Sequence, residues 1–307
     1  MATFCVLVKL SLLYEARQLL EKPSWTNIHN MISLIINADD LGCNALRDRG
    51  ILEAQQKGLV TSASILANGS SFNTAIKQVK HSKLPVGVHL NLADGRALTG
   101  PIKGLTDSSG NLPGKKELRR QLTDNRFDPE AIRKELKAQI QRIFEAGVQP
   151  DHLDGHQHCQ LFPGLTTMVT ELAREYAIPA MRSAQPADIS LKDPIDPLGQ
   201  ELALYRQLGH KAKEIIMTAG LLTPDGLMGM PLLNRLDQTS LCHLLENVPE
   251  GFWELMVHPG YSCASGNPFD GPQREVELLA LLSPEAKQII TRRNIRLCHF
   301  GDLSCAS

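Results

Sequence analysis

Apolar and polar positions alternate along this chain in two rhythms, short apolar runs and longer stretches with helical spacing, and the two follow one another from Met31 to the end. That order predicts βαβ units around a parallel sheet. Leu34-Ile35-Ile36 reads as a strand buried on both faces, and Asn44 as the cap of a helix carrying Leu46, Ile51 and Leu52 and stopping before Gly58. Leu59 to Leu66 gives a second strand, and Ser70 or Ser71 opens a second helix through Phe72, Ile76 and Val79. Val86, Val88, Leu90 and Leu92 alternate with Gly87, His89 and Asn91, which puts the two polar side chains on one face of a third strand.

Residues 93–126, rich in Gly, Pro, Asp and Ser, read as a long loop above the sheet, a kind of segment that often carries function. Asp128-Pro129 caps a strong helix with Ile132, Leu136, Ile140 and Ile143 on one stripe. Further strands are predicted near 151–155, 179–182, around Leu227, at 252–257 and at 295–300, with helices after Pro163, over about 198–219, near 237–246 and after Ser283-Pro284. The count is seven or eight strands, most followed by a helix. An irregular (β/α) barrel is therefore the first choice of fold, ahead of an open doubly wound sheet.

Composition changes this picture little. The chain has 307 residues, 42% of them apolar, and a formal charge of -1. The near-neutral balance leaves no broad basic face for nucleic acid. Seven scattered cysteines without a C-x-x-C pair argue against a disulfide framework and for a reducing, cytoplasmic setting. Phe4 to Leu13 is apolar apart from Lys9 and its few polar positions, but has no basic segment before it and no small-residue cleavage site after it, and it is too short to cross a bilayer. Residues 1–30 are read as an extension outside the fold, and 31–307 as one barrel domain.

The polar residues that interrupt the pattern fall at strand ends: Asp39 and Asp40, Asn68, His89 and Asn91, Asp154 and His156, Arg182, and His258. In a parallel barrel these ends share one rim, where active sites are built. Three of the ten histidines lie within Asp151–His158, and in a strand 152, 154 and 156 share a face. Joined by His89 and the aspartate pair, the cluster points to a divalent metal site. One of the two aspartates can ligate while the other accepts a proton; the plain alternative, a helix cap, explains one of them only. Such a centre suits hydrolysis of an amide, ester or phosphoester, and imidazole ligands favour Zn²⁺, Fe²⁺ or Mn²⁺ over Mg²⁺. His81, His210, His243 and Cys159 read as structural or solvated.

Five ordered motifs resemble those of the YdjC-like carbohydrate deacetylase family: Ile36 to Gly42, Val60-Thr61-Ser62 with Leu66 to Gly69, Gly87 to Leu92, His152 to His158 and Met256 to Tyr261. The resemblance implies a barrel related to the polysaccharide deacetylases and removal of acetyl groups from N-acetylated sugars such as chitooligosaccharides. It assigns Asp40, His89 and His156 as metal ligands, Asp39 as proton acceptor and Mg²⁺ as the usual metal, with Zn²⁺ kept open on ligand chemistry. On that basis His258, with His158 second, is expected to protonate the departing amine. Asp154 is expected to orient a ligand histidine or hold Arg182, and Arg182, Asn68 and Asn91 to bind sugar hydroxyls or the acetamide, unless they merely stabilise loops. A homodimer is possible by analogy with the related fold. The rival expectations are a metal-dependent phosphoesterase and a non-catalytic sugar-binding protein.

Overall fold

The computed structural model describes residues 31–124, 127–187, 197–262 and 268–305. The extension expected over residues 1–30 lies outside the described residues. Eight strands form one parallel sheet: β1 (Ile32–Leu41), β2 (Ser62–Ile65), β3 (Val86–Leu90), β4 (His152–Gly155), β5 (Ala180–Met181), β6 (Gly226–Met228), β7 (Gly251–Val257) and β8 (Ile295–Cys298). Their order is β5-β4-β3-β2-β1-β7-β6, and β8 pairs with the first half of β1, Ile32–Ile35 against Ile295–Cys298. The curled sheet closes between its outer strands by backbone bridges, Ala180 to Leu222 and Pro186 to Leu227, instead of a regular ladder. The fold is thus the irregular (β/α) barrel expected from the alternation.

β1 is the central strand, and all ten of its residues are buried, which is why its apolar run is unbroken until the aspartates. Helices α1 (Ala45–Lys57), α2 (Phe72–Ser82), α3 (Lys115–Thr123), α4 (Pro129–Glu145), α5 (Leu165–Glu175), α6 (Pro197–Thr218), α7 (Gln238–Asn247), α8 (Gln273–Leu282) and α9 (Pro284–Arg292) complete the described elements apart from short 3-10 turns. Asn44 caps α1 through Leu46 N and Arg47 N, and Asp128 caps α4 at Glu130 N and Ala131 N.

Three expectations change. The segment 93–126 is not loop throughout, since it carries α3, held down by Leu118 and Leu122. Helix α8 precedes α9 where a single helix was expected. The histidine run does not continue as a strand: β4 ends at Gly155, and Gln157 and His158 take left-handed backbone angles, φ 56° and 52°. His156 and His158 are therefore presented by a turn and not by strand alternation.

No helix among the described residues is long and apolar enough to cross a membrane.

Candidate active site

Asp39 and Asp40 sit where β1 breaks register with β2, between Ala38 and Leu41, and Asp40 has a left-handed φ of 69°. Such an irregularity re-aims side chains, and here it brings two consecutive carboxylates to one cavity. The cavity, about 870 Å³, opens over the C-terminal ends of the strands. It is lined by Asp39, Asp40, Asn68, His89, Asn91, His156, His158 and His258, so eight of the ten residues singled out in the sequence meet there.

The other two, Asp154 and Arg182, lie beneath it, both with no exposed surface and neither on the lining. The Arg182 guanidinium grips Asp39 with two donors, 2.7 Å to each oxygen, and reaches Asp154 Oδ2 at 2.8 Å and Glu254 Oε1 at 2.8 and 2.5 Å. With its donors spent on carboxylates, Arg182 has no face toward a ligand. It holds Asp39 from below and does not line the cavity, where the expected binding role would have placed it. Asp154 meets Arg182 through Oδ2, and its Oδ1 lies 2.8 Å from His89 Nδ1.

Asp40 Oδ1, His89 Nε2 and His156 Nδ1 converge: the two nitrogens lie 3.4 and 2.9 Å from the oxygen, and the three ligand atoms fall within 4.8 Å of one another. Each ring's other nitrogen is held by a carboxylate, Asp154 for His89 and Asp94, 2.8 Å away, for His156. That arrangement turns the free lone pair of each imidazole inward. Asp40 Oδ1 is buried and accepts no well-formed hydrogen bond, whereas Oδ2 accepts from Arg47 Nη1 at 3.0 Å. An oxygen left open beside two inward imidazoles fits a divalent cation, and a donor set of two nitrogens and one oxygen fits Zn²⁺ better than Mg²⁺.

Electrostatics separate the groups. Burial opposes ionisation of Asp39, but Arg182 outweighs it and keeps the carboxylate below its ordinary range. For Asp40, burial is likewise overcome, by His156, His89 and Arg47. Burial disfavours charge on His89 and His156 too, yet Asp154 and Asp40 respectively lead the attractions that raise them to about 10 and about 9. His258 lacks such a partner, and burial pushes it down to about 3. Its ring stands edge-on to Phe269, 5.1 Å between centroids. His158 is pushed far down by burial and by Arg182, and meets Tyr205 edge-on.

Asn91 and Asn68 shape the rim. Asn91 Oδ1 accepts from Ala93 N and Asp94 N, its Nδ2 donates to Asn68 Oδ1, and Asn68 Nδ2 donates to the carbonyls of Asp94 and Arg96. They hold the turn that carries Asp94 while bordering the cavity. Sequence reasoning missed Arg47, which bridges Asp40 and Asp270, as well as Asp94 and Glu254. Asp94 lies in the loop already suspected of function; the others have no sequence signal.

Fold and site together define a (β/α)-barrel protein with an Asp-His-His candidate metal centre at its C-terminal rim. The chain belongs to the YdjC-like protein family, whose model matches residues 33–292, as the motifs indicate. It is 30% identical to a carbohydrate deacetylase of Mus musculus over 295 residues, 89% of this chain and 95% of that protein. A carbohydrate deacetylase of Geobacillus stearothermophilus is 36% identical over 275 residues, 87% and 96% of the two chains. A crystal structure from Enterococcus faecalis V583, provisionally described as a cellobiose-phosphate cleavage protein, matches with a TM-score of 0.69 at 25% identity, covering 89% of this chain and 99% of that one.

Proposed function

We propose that this protein is a carbohydrate deacetylase that hydrolyses the acetamide of N-acetylated sugars or short oligosaccharides, with a divalent cation held by Asp40, His89 and His156. The observation that carries this reading is the convergence of those three ligand atoms beside Asp39, a second carboxylate held by arginine at the same cavity. Zn²⁺ is preferred on the donor set, with Mg²⁺, implied by the family resemblance, as the alternative. When bound, the cation supplies Lewis acidity and lowers the pKa of water.

The residues of the chain do the rest. Asp39, kept ionised by Arg182, takes the proton of the attacking water. The sugar nitrogen needs a proton before the C–N bond breaks. His258 lines the cavity and is neutral in the free protein, so its part is to relay a proton received during the reaction, with His158 as the second candidate. Asn68 and Asn91 border the sugar. Leu202, Tyr205, Met230 and Phe269 give the cavity an apolar side that suits the C–H faces of sugar rings. The free thiols of Cys43, Cys159, Cys242 and Cys298 agree with a cytoplasmic location.

The test is acetate release from a panel of N-acetylated mono- and oligosaccharides, beside a generic phosphoester, with and without chelator. Acetate release that chelator abolishes and Zn²⁺ restores is expected. Phosphate release alone would overturn the reading.

A further inference from the structure

Beneath the cavity a hydrogen-bonded column runs from Asp154 to Asp151, just before the start of β4, and on to His299. Ser64 Oγ, on β2, donates to Asp154 Oδ2 at 2.8 Å and accepts from Asn37 Nδ2 at 2.8 Å. Asn37 Nδ2 also donates to Asp39 Oδ1 at 2.8 Å. Ser64 thus reaches two of the three carboxylates that Arg182 joins, Asp154 directly and Asp39 through Asn37.

Ser64 is placed in turn by His152, whose Nε2 lies 3.1 Å from Oγ and whose Nδ1 lies 2.7 Å from Asp151 Oδ1. Asp151 Oδ2 accepts from Gly301 N at 3.1 Å and lies 3.0 Å from Nδ1 of the half-exposed His299. The His152 ring is clamped on both faces. Phe300 stacks on it with centroids 3.7 Å apart and planes 15° from parallel. Gly87 lies against it where any Cβ would collide with the ring.

Ser64, His152 and Asp151 have the order of a nucleophilic triad, but Ser64 and His152 have no exposed surface, none of the three lines the cavity, and the hydroxyl is spent on a carboxylate. A nucleophile cannot work there. What the column can do is set the position of Asp154, which reaches both Arg182 and the ring of His89.

We propose that Ser64, His152 and Asp151 are positioning residues, which act through Asp154 and Asn37 to align the Asp39 carboxylate and the His89 ring. The proposal rests on the functional reading above only for its activity measurements.

The experiment compares the full-length protein with Ser64→Ala and, at the less buried end, Asp151→Asn, by Zn²⁺ titration calorimetry and by steady-state acetate release. Ser64→Ala is expected to weaken Zn²⁺ binding about tenfold and to lower kcat about tenfold, with KM within about twofold, because the substrate-facing residues are untouched. Asp151→Asn is expected to move both quantities in the same direction by about threefold, and it carries the test if Ser64→Ala does not fold. Wild-type Zn²⁺ affinity and kcat in the folded variants would overturn the column, as would a change in KM alone. A wild-type protein that releases no acetate, paired with a Ser64→Ala variant that still loses Zn²⁺ affinity, would sink the deacetylase reading and support the column.

Discussion

Asp39 and Asp40 are identical neighbours made different by their surroundings. Both oxygens of Asp39 are taken by Arg182, with Asn37 adding a donor, whereas Asp40 keeps one oxygen free beside two imidazoles. On the proposed reading the first holds a charge and accepts a proton, and the second ligates. Asp39→Asn preserves the volume and removes the base. We expect Zn²⁺ and sugar affinity within about threefold of wild type and a fall in kcat of about 10²- to 10⁴-fold, read by calorimetry and acetate release on the same preparations. Undiminished turnover would take Asp39 out of the base role. The identity of these residues was legible because carboxylates and imidazoles at strand ends are costly unless used. Arg182 was legible as a position but not in its role. Arginine is usually exposed, and only the packed structure shows three buried carboxylates around it.

The elements hold the rim by polar contacts that periodicity does not report. After Asp40 the chain turns at Gly42, and its amide donates to Asp48 Oδ1 on α1 at 2.6 Å, so the helix fixes the turn that carries Asp40. Asp48 is almost fully buried, and burial outweighs the pull of Ser71, Gly42 N and Arg47 to raise its pKa from 3.8 to about 6. Below 3.8 both folded and unfolded chains hold the proton. Between 3.8 and about 6 the unfolded chain releases it first, so stability declines as pH rises, and above 6 the loss is complete. Asp48→Asn keeps an oxygen for Gly42 N and cannot ionise. Urea denaturation is expected to show the variant gaining on wild type between about pH 4 and 6 and holding that gain above; a pH-independent difference would show that Asp48 is not the group responsible.

The same limit explains which elements the sequence hid. Caps such as Asn44 and Asp128 are local and were readable, whereas α3 buries only Leu118 and Leu122 in a stretch crowded with turn residues. The departure from strand at His156 follows from left-handed residues that no alternation rule can place.

At the scale of the whole molecule the weak point is the seam between β5 and β6. Among the described residues no continuous ladder crosses it; Leu227 N donates to the Gln185 carbonyl at 2.8 Å and Ala187 N to the Leu227 carbonyl at 2.9 Å. Helix α6 covers the seam with the buried stripe Leu202, Tyr205, Gly209, Ala212 and Ile216. Gly209 is the point of closest approach: a Cβ there would fall 2.7 Å from Gln185 Cα and 2.9 Å from its nitrogen, backbone atoms that cannot swing aside. Helix propensity alone favours Gly209→Ala by about 1 kcal/mol. Overpacking a backbone contact costs about 1–3 kcal/mol, and α6 has to lift for the methyl to enter. Lifting also moves Tyr205, one turn away, whose ring meets His158 in the cavity and whose hydroxyl donates to the Gln157 carbonyl at 3.3 Å. Gly209→Ala is therefore expected to lower the melting temperature by a few degrees and to raise KM more than it lowers kcat, because the sugar-facing wall shifts while the Asp39 and Asp40 groups on β1 do not. A melting temperature equal to or above that of wild type would mean that helix propensity wins at this position and that the seam yields where the geometry says it is tight.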